Sequence, residues 1–272
     1  MENVVRLAFI GYGEVGQTWS RGLLARQGVR LTAYDLVFDG PDGGARVAAA
    51  KAAGVEPAAD AASASRQAAI VISAVTAAAA PRVAAEATSY LRPGQIFFDI
   101  NSTSPATKRA AAAYVAAAGA EFVEGAVMAP VAGPGIAVPI LAGGREAAAT
   151  AERLNALGMN VTPVATEIGR ASATKLCRSI MIKGMEALIL DCAEAAREHG
   201  VEGDVWSSLA ATFPGIDWPA LAVTMAERVR RHGIRRAEEM REAGAMLRDL
   251  DADPALCAAV ADAHERFARK RG

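Results

Sequence analysis

Six residues, Gly11-Tyr12-Gly13-Glu14-Val15-Gly16, constrain this chain more than any others. They follow an apolar, β-branched run, Val4 to Ile10, and open a stretch with helical periodicity, Glu14 to Gln27. Each glycine has a separate task in such a strand-to-helix turn. The first allows the tight turn, the second lets a ligand approach the backbone, and the third lets helix and strand pack closely. The helix N-terminal amides then face an anion. A second strand, Arg30 to Tyr34, ends in Asp35, 19 residues after Gly16, where a carboxylate can accept hydrogen bonds from ribose hydroxyls. Strand, turn, helix and acid together predict a dinucleotide held by Gly11, Tyr12, Gly13, Glu14, Val15, Gly16 and Asp35. The expected cofactor is NAD, because a carboxylate repels a 2′-phosphate and Leu36-Val37-Phe38 supplies no arginine. NADP is the alternative if an arginine from elsewhere reverses the preference.

The pattern continues as short strands alternating with helices, the mark of a parallel sheet covered on both faces. Helix is expected over Ala45 to Ala53, ending at Gly54, and a short strand begins at Val55. Strand is expected over Ala69 to Val75, helix from Pro81 toward Tyr90, and strand over Gln95 to Ile100, with a helix opening at Ser104-Pro105. Glu121 to Val127 and Ala137 to Ala142 read as strands, and Arg145 to Leu157 as helix. From Ile168 onward only helices are expected, over about Ala171 to His199, Val205 to Thr212, Pro219 to His232, Arg235 to Leu247 and Pro254 to Lys270. The fold class is therefore α/β: an N-terminal Rossmann, doubly wound parallel sheet followed by an all-α C-terminal domain. The boundaries are 1–165 for the NAD-binding domain and 166–272 for a substrate and dimerisation domain.

Composition narrows the partners. Charged residues are 22% of 272, apolar ones 52%, and the formal net charge is −1. These values leave no general electrostatic attraction to nucleic acid or an anionic membrane, so a small-molecule substrate is expected. The start, Met1-Glu2-Asn3, lacks the basic and apolar regions of a signal peptide, and no 18-residue apolar run is free of Gly, Pro and charge. Cys177, Cys192 and Cys257 are odd in number and far apart, with no metal-binding spacing, so no metal and a reducing cytoplasm are expected.

A second polar cluster, Asp99-Ile100-Asn101-Ser102-Thr103-Ser104-Pro105, leaves the carboxyl end of a strand, the end at which open sheets bind ligands. Asn101, with Val75 and Thr76 at the end of the preceding strand, joins the cofactor candidates. Ser102 and Thr103 either hold a substrate carboxylate or the nicotinamide, or cap the helix before Pro105, and spacing leaves these readings open.

At this point the chain resembles the β-hydroxyacid dehydrogenase family, relatives of 6-phosphogluconate and 3-hydroxyisobutyrate dehydrogenases. The resemblance rests on Gly11 to Gly16, on Asp99 to Pro105 and on Gly169 to Ser179, and spans nearly the whole chain. Its helical half is most similar to a divergent subgroup with a 6-phosphogluconate dehydrogenase-like C-terminal domain. The resemblance implies that Lys175 is the general acid/base in hydride transfer between NAD and the hydroxyl-bearing carbon of a 3-hydroxyacid-like substrate. It also implies a homodimer through the helical domain. Ser179 stands where the family has asparagine, Ile182 where 6-phosphogluconate dehydrogenase has a glutamate acid, and Met128-Ala129-Pro130 where the family has Ser-Gly-Gly. The substrate is therefore expected to be less polar, or differently anchored, than a small hydroxy acid, with Ser102, Thr103, Met128 and Ser179 around it. Arg235, in the basic stretch Arg228 to Arg236, is the candidate for a substrate carboxylate, against a solvated helix face with an Arg235 to Glu239 pair.

By periodicity Lys175, Ser179, Lys183 and Glu186 share one helix face. Lys183 is expected to be an ordinary solvated lysine, and His264 has no expected role. Trp206, Phe213 and Trp218 are expected to pack in a core or an interface. Two other functions fit the same residues: an NADPH-dependent reductase of an aldehyde or keto acid, and a non-catalytic NAD-sensing module.

Overall fold

The computed structural model describes residues 4–269. The acidic start, Met1 to Asn3, and the expected end of the last helix at Lys270 lie outside them. The chain divides into two compact units, Met1–Lys175 and Leu176–Gly272.

Among the described residues, the first unit has strands and α-helices in the order β1 (Val5–Ile10), α1 (Glu14–Leu24), β2 (Val29–Tyr34), α2 (Gly43–Ala52), β3 (Glu56–Pro57), α3 (Ala61–Ser65), β4 (Ile70–Ser73), α4 (Ala80–Ala87), β5 (Ile96–Asp99), α5 (Pro105–Ala117), β6 (Glu121–Val127), β7 (Pro139–Gly143), α6 (Ala147–Asn155) and β8 (Asn160–Ala165). They form one sheet ordered β3-β2-β1-β4-β5-β6-β7-β8. Because side chains alternate along a strand, β1 sends Leu7 and Phe9 into one core and Ala8 and Ile10 into another. Likewise, β4 and β5 divide Ile70, Ile72, Ile96 and Phe98 from Val71 and Phe97. Two apolar layers, one per face, are what a doubly wound sheet needs.

The sheet is not parallel throughout. β7 runs antiparallel to β6, with Val127 opposite Ile140, while the other neighbouring pairs are parallel. The link between β6 and β7 holds only a single-turn helix, Gly135–Ala137, and no crossover helix of the kind a parallel pair uses. Strand order reverses between β1 and β4, both neighbours of the central gap, so the carboxyl ends of these strands form the switch point where such sheets bind ligands.

After β8 the chain is helical: α7 (Arg170–Glu198), α8 (Glu202–Thr212), α9 (Trp218–Arg248) and α10 (Ala255–Arg269). The unit division falls inside α7, ten residues beyond the boundary read from the sequence. α9 is one continuous helix, whereas the sequence reading ended a helix at His232 and began another at Arg235. Gly233 lies at that expected break, and glycine disfavours a helix interior. Here it serves packing: a Cβ on Gly233 would lie 2.7 Å from Ala268 Cβ and from the His264 carbonyl of α10. Trp206 and Trp218 are buried in a cluster with Ile189 and Met225, and exposed Phe213 meets Trp218 edge-on.

Candidate active site

The switch point of the first unit is shaped by glycine and by one carboxylate. Gly11 has φ +91°, and a Cβ there would stand 2.4 Å from the Ala74 carbonyl oxygen, so backbones from β1 and β4 meet with no room for a side chain. Val75 packs against the same position. A Cβ on Gly16 would come within 3.1 Å of the Gly11 carbonyl oxygen and the Tyr12 ring. Around Gly13 the space is open, and Gly13, as N-cap of α1, brings no side chain to its amides. The Asp35 carboxylate accepts from Tyr12 N at 2.6 Å and Val37 N at 3.0 Å, which fixes the end of β2 to the glycine turn. Each oxygen keeps lone-pair capacity for a ribose hydroxyl. An α1 start whose N-cap brings no side chain, open backbone at Gly13 and a held carboxylate at Asp35 together fit a dinucleotide.

A network missed by sequence reading holds the next two strand ends. Asn101 accepts from Val75 N at 2.7 Å and donates to Ser73 Oγ at 2.9 Å and to Asp99 Oδ1 at 2.6 Å. Both amide donors are thus committed within the protein, and Asn101 shapes the Val75 loop. Beneath it, Lys108 Nζ donates to the Asp99 carbonyl at 2.8 Å and stands 3.3 Å from its carboxylate, with both side chains fully buried. The signal for Lys108 was its place on the buried face of α5 with Pro105, Ala111 and Val115. Thr76 Oγ1 accepts from Ala79 N in the turn before α4.

The helix-capping task assigned to Ser102 or Thr103 belongs to Ser104, whose side chain accepts from Thr107 N at 3.2 Å. Ser102 Oγ and Thr103 Oγ1 are buried and have no hydrogen-bond partner. Both hydroxyls therefore keep donor and acceptor capacity that no protein group uses, at the end of the sheet where open α/β sheets bind ligands. Met128 is half-buried at the end of β6, and its amide donates to the Pro139 carbonyl.

Lys175 sits half-buried in the second turn of α7. The start of that helix is capped from the sheet. Glu124 on β6, fully buried, accepts from Gly169 N at 2.8 Å, Ala171 N at 3.0 Å, Ser172 N at 3.3 Å and Ser172 Oγ at 2.8 Å. A carboxylate there satisfies orphan amides and complements the positive helix end. Gly143, opposite Glu124 in β7, leaves it room: a Cβ would lie 2.6 Å from Glu124 Oε1.

In the second unit, the face of α7 that carries Ser179, Lys183 and Glu186 is buried, which overturns the expectation of a solvated Lys183. Lys183 Nζ donates to Ser179 Oγ at 3.0 Å and to Glu239 Oε2 at 2.8 Å. Burial lowers the Lys183 pKa, and the Glu239 carboxylate opposes that shift. Glu186 accepts from both Nε and Nη2 of Arg236 and lies 3.2 Å from His264 Nε2. Burial pushes the Glu186 carboxyl up, but the bonds from His264 and Arg236 outweigh it and hold its pKa below the usual range. His264, given no role from sequence, is fully buried in this network. Arg235 lies on the exposed side of α9, and the guanidinium that turns inward is that of the next residue, Arg236. Among the described residues, no helix is long and apolar enough to cross a membrane, and no three His, Cys, Asp or Glu gather as a metal site.

Fold and glycine turn define an NAD(P)-dependent oxidoreductase of the Rossmann class. Residues 6–165 match the NAD-binding domain of 6-phosphogluconate dehydrogenase, and residues 196–267 match a domain of unknown function (DUF1932). The chain belongs to the β-hydroxyacid dehydrogenase family, dehydrogenases that act on CH–OH groups. Among solved structures it is similar to a conserved hypothetical protein from Sinorhizobium meliloti 1021, with 40% identity and TM-score 0.83 over 100% of this chain and 92% of that one. It is similar to the conserved protein MTH1747, whose structure is described as resembling 3-hydroxyacid dehydrogenases, with 32% identity and TM-score 0.76 over 97% and 96%. Mycobacterium tuberculosis 3-hydroxyisobutyrate dehydrogenase, solved with L-serine, shares the fold at 19% identity and TM-score 0.78 over 98% and 94%. Among curated proteins none matches the chain in sequence.

Proposed function

We propose that this protein reversibly oxidises the hydroxyl-bearing carbon of a 3-hydroxyacid-like substrate, with Lys175 as general acid/base. Bound NAD supplies the acceptor of the hydride in oxidation and, when reduced, its donor. In oxidation the neutral Lys175 amine takes the substrate hydroxyl proton, and in reduction its ammonium returns that proton to the forming alkoxide. Ser102 and Thr103 hold the substrate through their hydroxyls, and Met128 supplies an apolar wall; Ser179 and Arg235 are the substrate candidates of the helical unit, each tested by its own substitution. The observation that carries this reading is the pair of buried, unpartnered hydroxyls on Ser102 and Thr103 at the ligand-binding end of the sheet. Asn101, Val75 and Thr76 form the loop beside the cofactor, with Asn101 as its clamp.

The reading further takes the domains as 1–165 for cofactor and 166–272 for substrate and dimerisation, places the protein in the cytoplasm, and gives it no nucleic-acid partner. A homodimer through the helical unit is supported by Met181 and Leu188, 64% and 71% exposed and seven residues apart on α7. Seven residues is two turns, so they form one apolar stripe.

The test is a panel of 3-hydroxy acids assayed with NAD, following the absorbance of the reduced cofactor. Turnover of at least one member is expected. Silence across the panel together with tight NADH binding would favour the non-catalytic NAD-sensing module, and turnover only of aldehydes or keto acids with NADPH would favour the reductase.

A further inference from the structure

Inside the second unit, Ser179 and Lys183 stand four residues apart on successive turns of α7, and both are buried. Ser179 also lies one turn beyond Lys175 on that helix. Side chains of a helix lean toward its N-terminus, so Lys183 reaches back over Ser179, and its Nζ donates to Ser179 Oγ at 3.0 Å. The same Nζ stands 2.8 Å from Glu239 Oε2 of α9. Glu186, the next carboxylate on this face of α7, is held by Arg236 and His264, so the Lys183 ammonium is shared between one serine and one carboxylate.

A serine hydroxyl has one donor and two acceptor sites, whereas an ammonium has donors only. Lys183 therefore fixes the sense of the bond: Ser179 Oγ accepts, and its own proton is free for another acceptor. Helical hydroxyls can spend that proton on the carbonyl four residues back. Thr174, Thr212 and Thr224 do so here, with Oγ1 2.8 to 3.1 Å from the carbonyls of Arg170, Ser208 and Ala220. Among the described residues Ser179 donates to no carbonyl or side chain. Accepting from a cation also draws electron density from Oγ, which makes its O–H a stronger donor. That gain offsets the shorter reach and weaker donor that serine brings in place of the family's asparagine.

We propose that Lys183 is a positioning residue for the reaction: its buried ammonium occupies a lone pair of Ser179 Oγ and so commits the Ser179 proton to a carbonyl or carboxylate oxygen of the substrate. The inference rests on the reading that Ser179 faces the substrate. Lys183 itself touches neither substrate nor cofactor and acts through Ser179. Glu239 favours the charged lysine, and the charge matters, because a neutral amine would take the Ser179 proton instead of leaving it for the substrate.

The test is a double-substitution cycle on the whole protein, reading kcat/KM for the 3-hydroxy acid that the wild type turns over, with Lys183→Met, Ser179→Ala and both together. Lys183→Met is expected to lower kcat/KM at least about tenfold when Ser179 is present and by less than about twofold when it is already alanine, with NADH affinity unchanged throughout. Equal losses in the two backgrounds would overturn the proposal, since a lysine that only supports the fold acts whether or not Ser179 is there. Should Lys183→Met not fold, Lys183→Met combined with Glu239→Gln removes both charges of the pair and takes its place. A second readout needs no substrate: 15N NMR of lysine-labelled protein, with the Lys183 signal assigned by its loss in Lys183→Arg. A charged Lys183 whose signal shifts in Ser179→Ala is expected. A neutral amine, or a signal that Ser179→Ala leaves in place, would contradict the proposal. Silence of the wild type across the 3-hydroxy acids would count against the proposed substrate, and the NMR signal would then decide whether Lys183 holds Ser179.

Discussion

Glu124 accepts four hydrogen bonds with no exposure to water, and Gly143 opposite it is the only residue type that leaves its carboxylate space. Replacing it with alanine strips the cap from α7 and orphans buried amides, so Glu124→Ala is expected to lower unfolding free energy by about 2–4 kcal/mol in urea denaturation. Glu124→Gln, which still accepts, is expected to lose less. A second expectation concerns acid. The Glu186 pKa is depressed in the folded protein, so its stabilisation is complete above the unfolded value of about 4.3 and lost as pH falls through the lower folded value. Wild-type stability should thus fall more steeply with pH below about 4.3 than that of Glu186→Gln; parallel slopes would refute this. Neither carboxylate was legible from sequence. The partners of Glu124 lie 45 to 48 residues away, and those of Glu186 lie on α9 and α10, so no local pattern marks them. The glycine turn and Asp35 were legible because their chemistry is set within one strand, one turn and one helix.

At the scale of elements, local signals located the strands and helices of the first unit except α3, a helix of five residues, and the last strand, β8, neither of which was read from the sequence. α7 was legible from its periodicity and from Gly200, which has φ +68° just past its end. The continuity of α9 was not, because Gly233 reads as a break when α10 is unseen. Gly233→Ala is expected to cost about 1–3 kcal/mol despite the better helix propensity of alanine, since its Cβ would meet the backbone of α10. Thermal unfolding checks this, and a raised Tm would show that the helices can part. The direction of β7 was equally hidden: strand periodicity does not report the neighbour a strand will choose or its polarity.

The whole molecule joins a sheet unit that matches the NAD-binding domain of 6-phosphogluconate dehydrogenase to a helical unit that matches a domain of unknown function over residues 196–267. If the α7 stripe at Met181 and Leu188 is an interface, sedimentation should give a mass twice the 28.1 kDa of one chain, and Leu188→Glu should shift the protein toward monomer. A wild-type monomer would remove the interface. The central claim is that Lys175 moves the proton while the first unit holds the cofactor, and the most direct measurement is turnover and NADH affinity of Lys175→Ala beside the wild type. The account predicts a loss of turnover of at least about a hundredfold with NADH affinity unchanged. Undiminished turnover in that variant would contradict it.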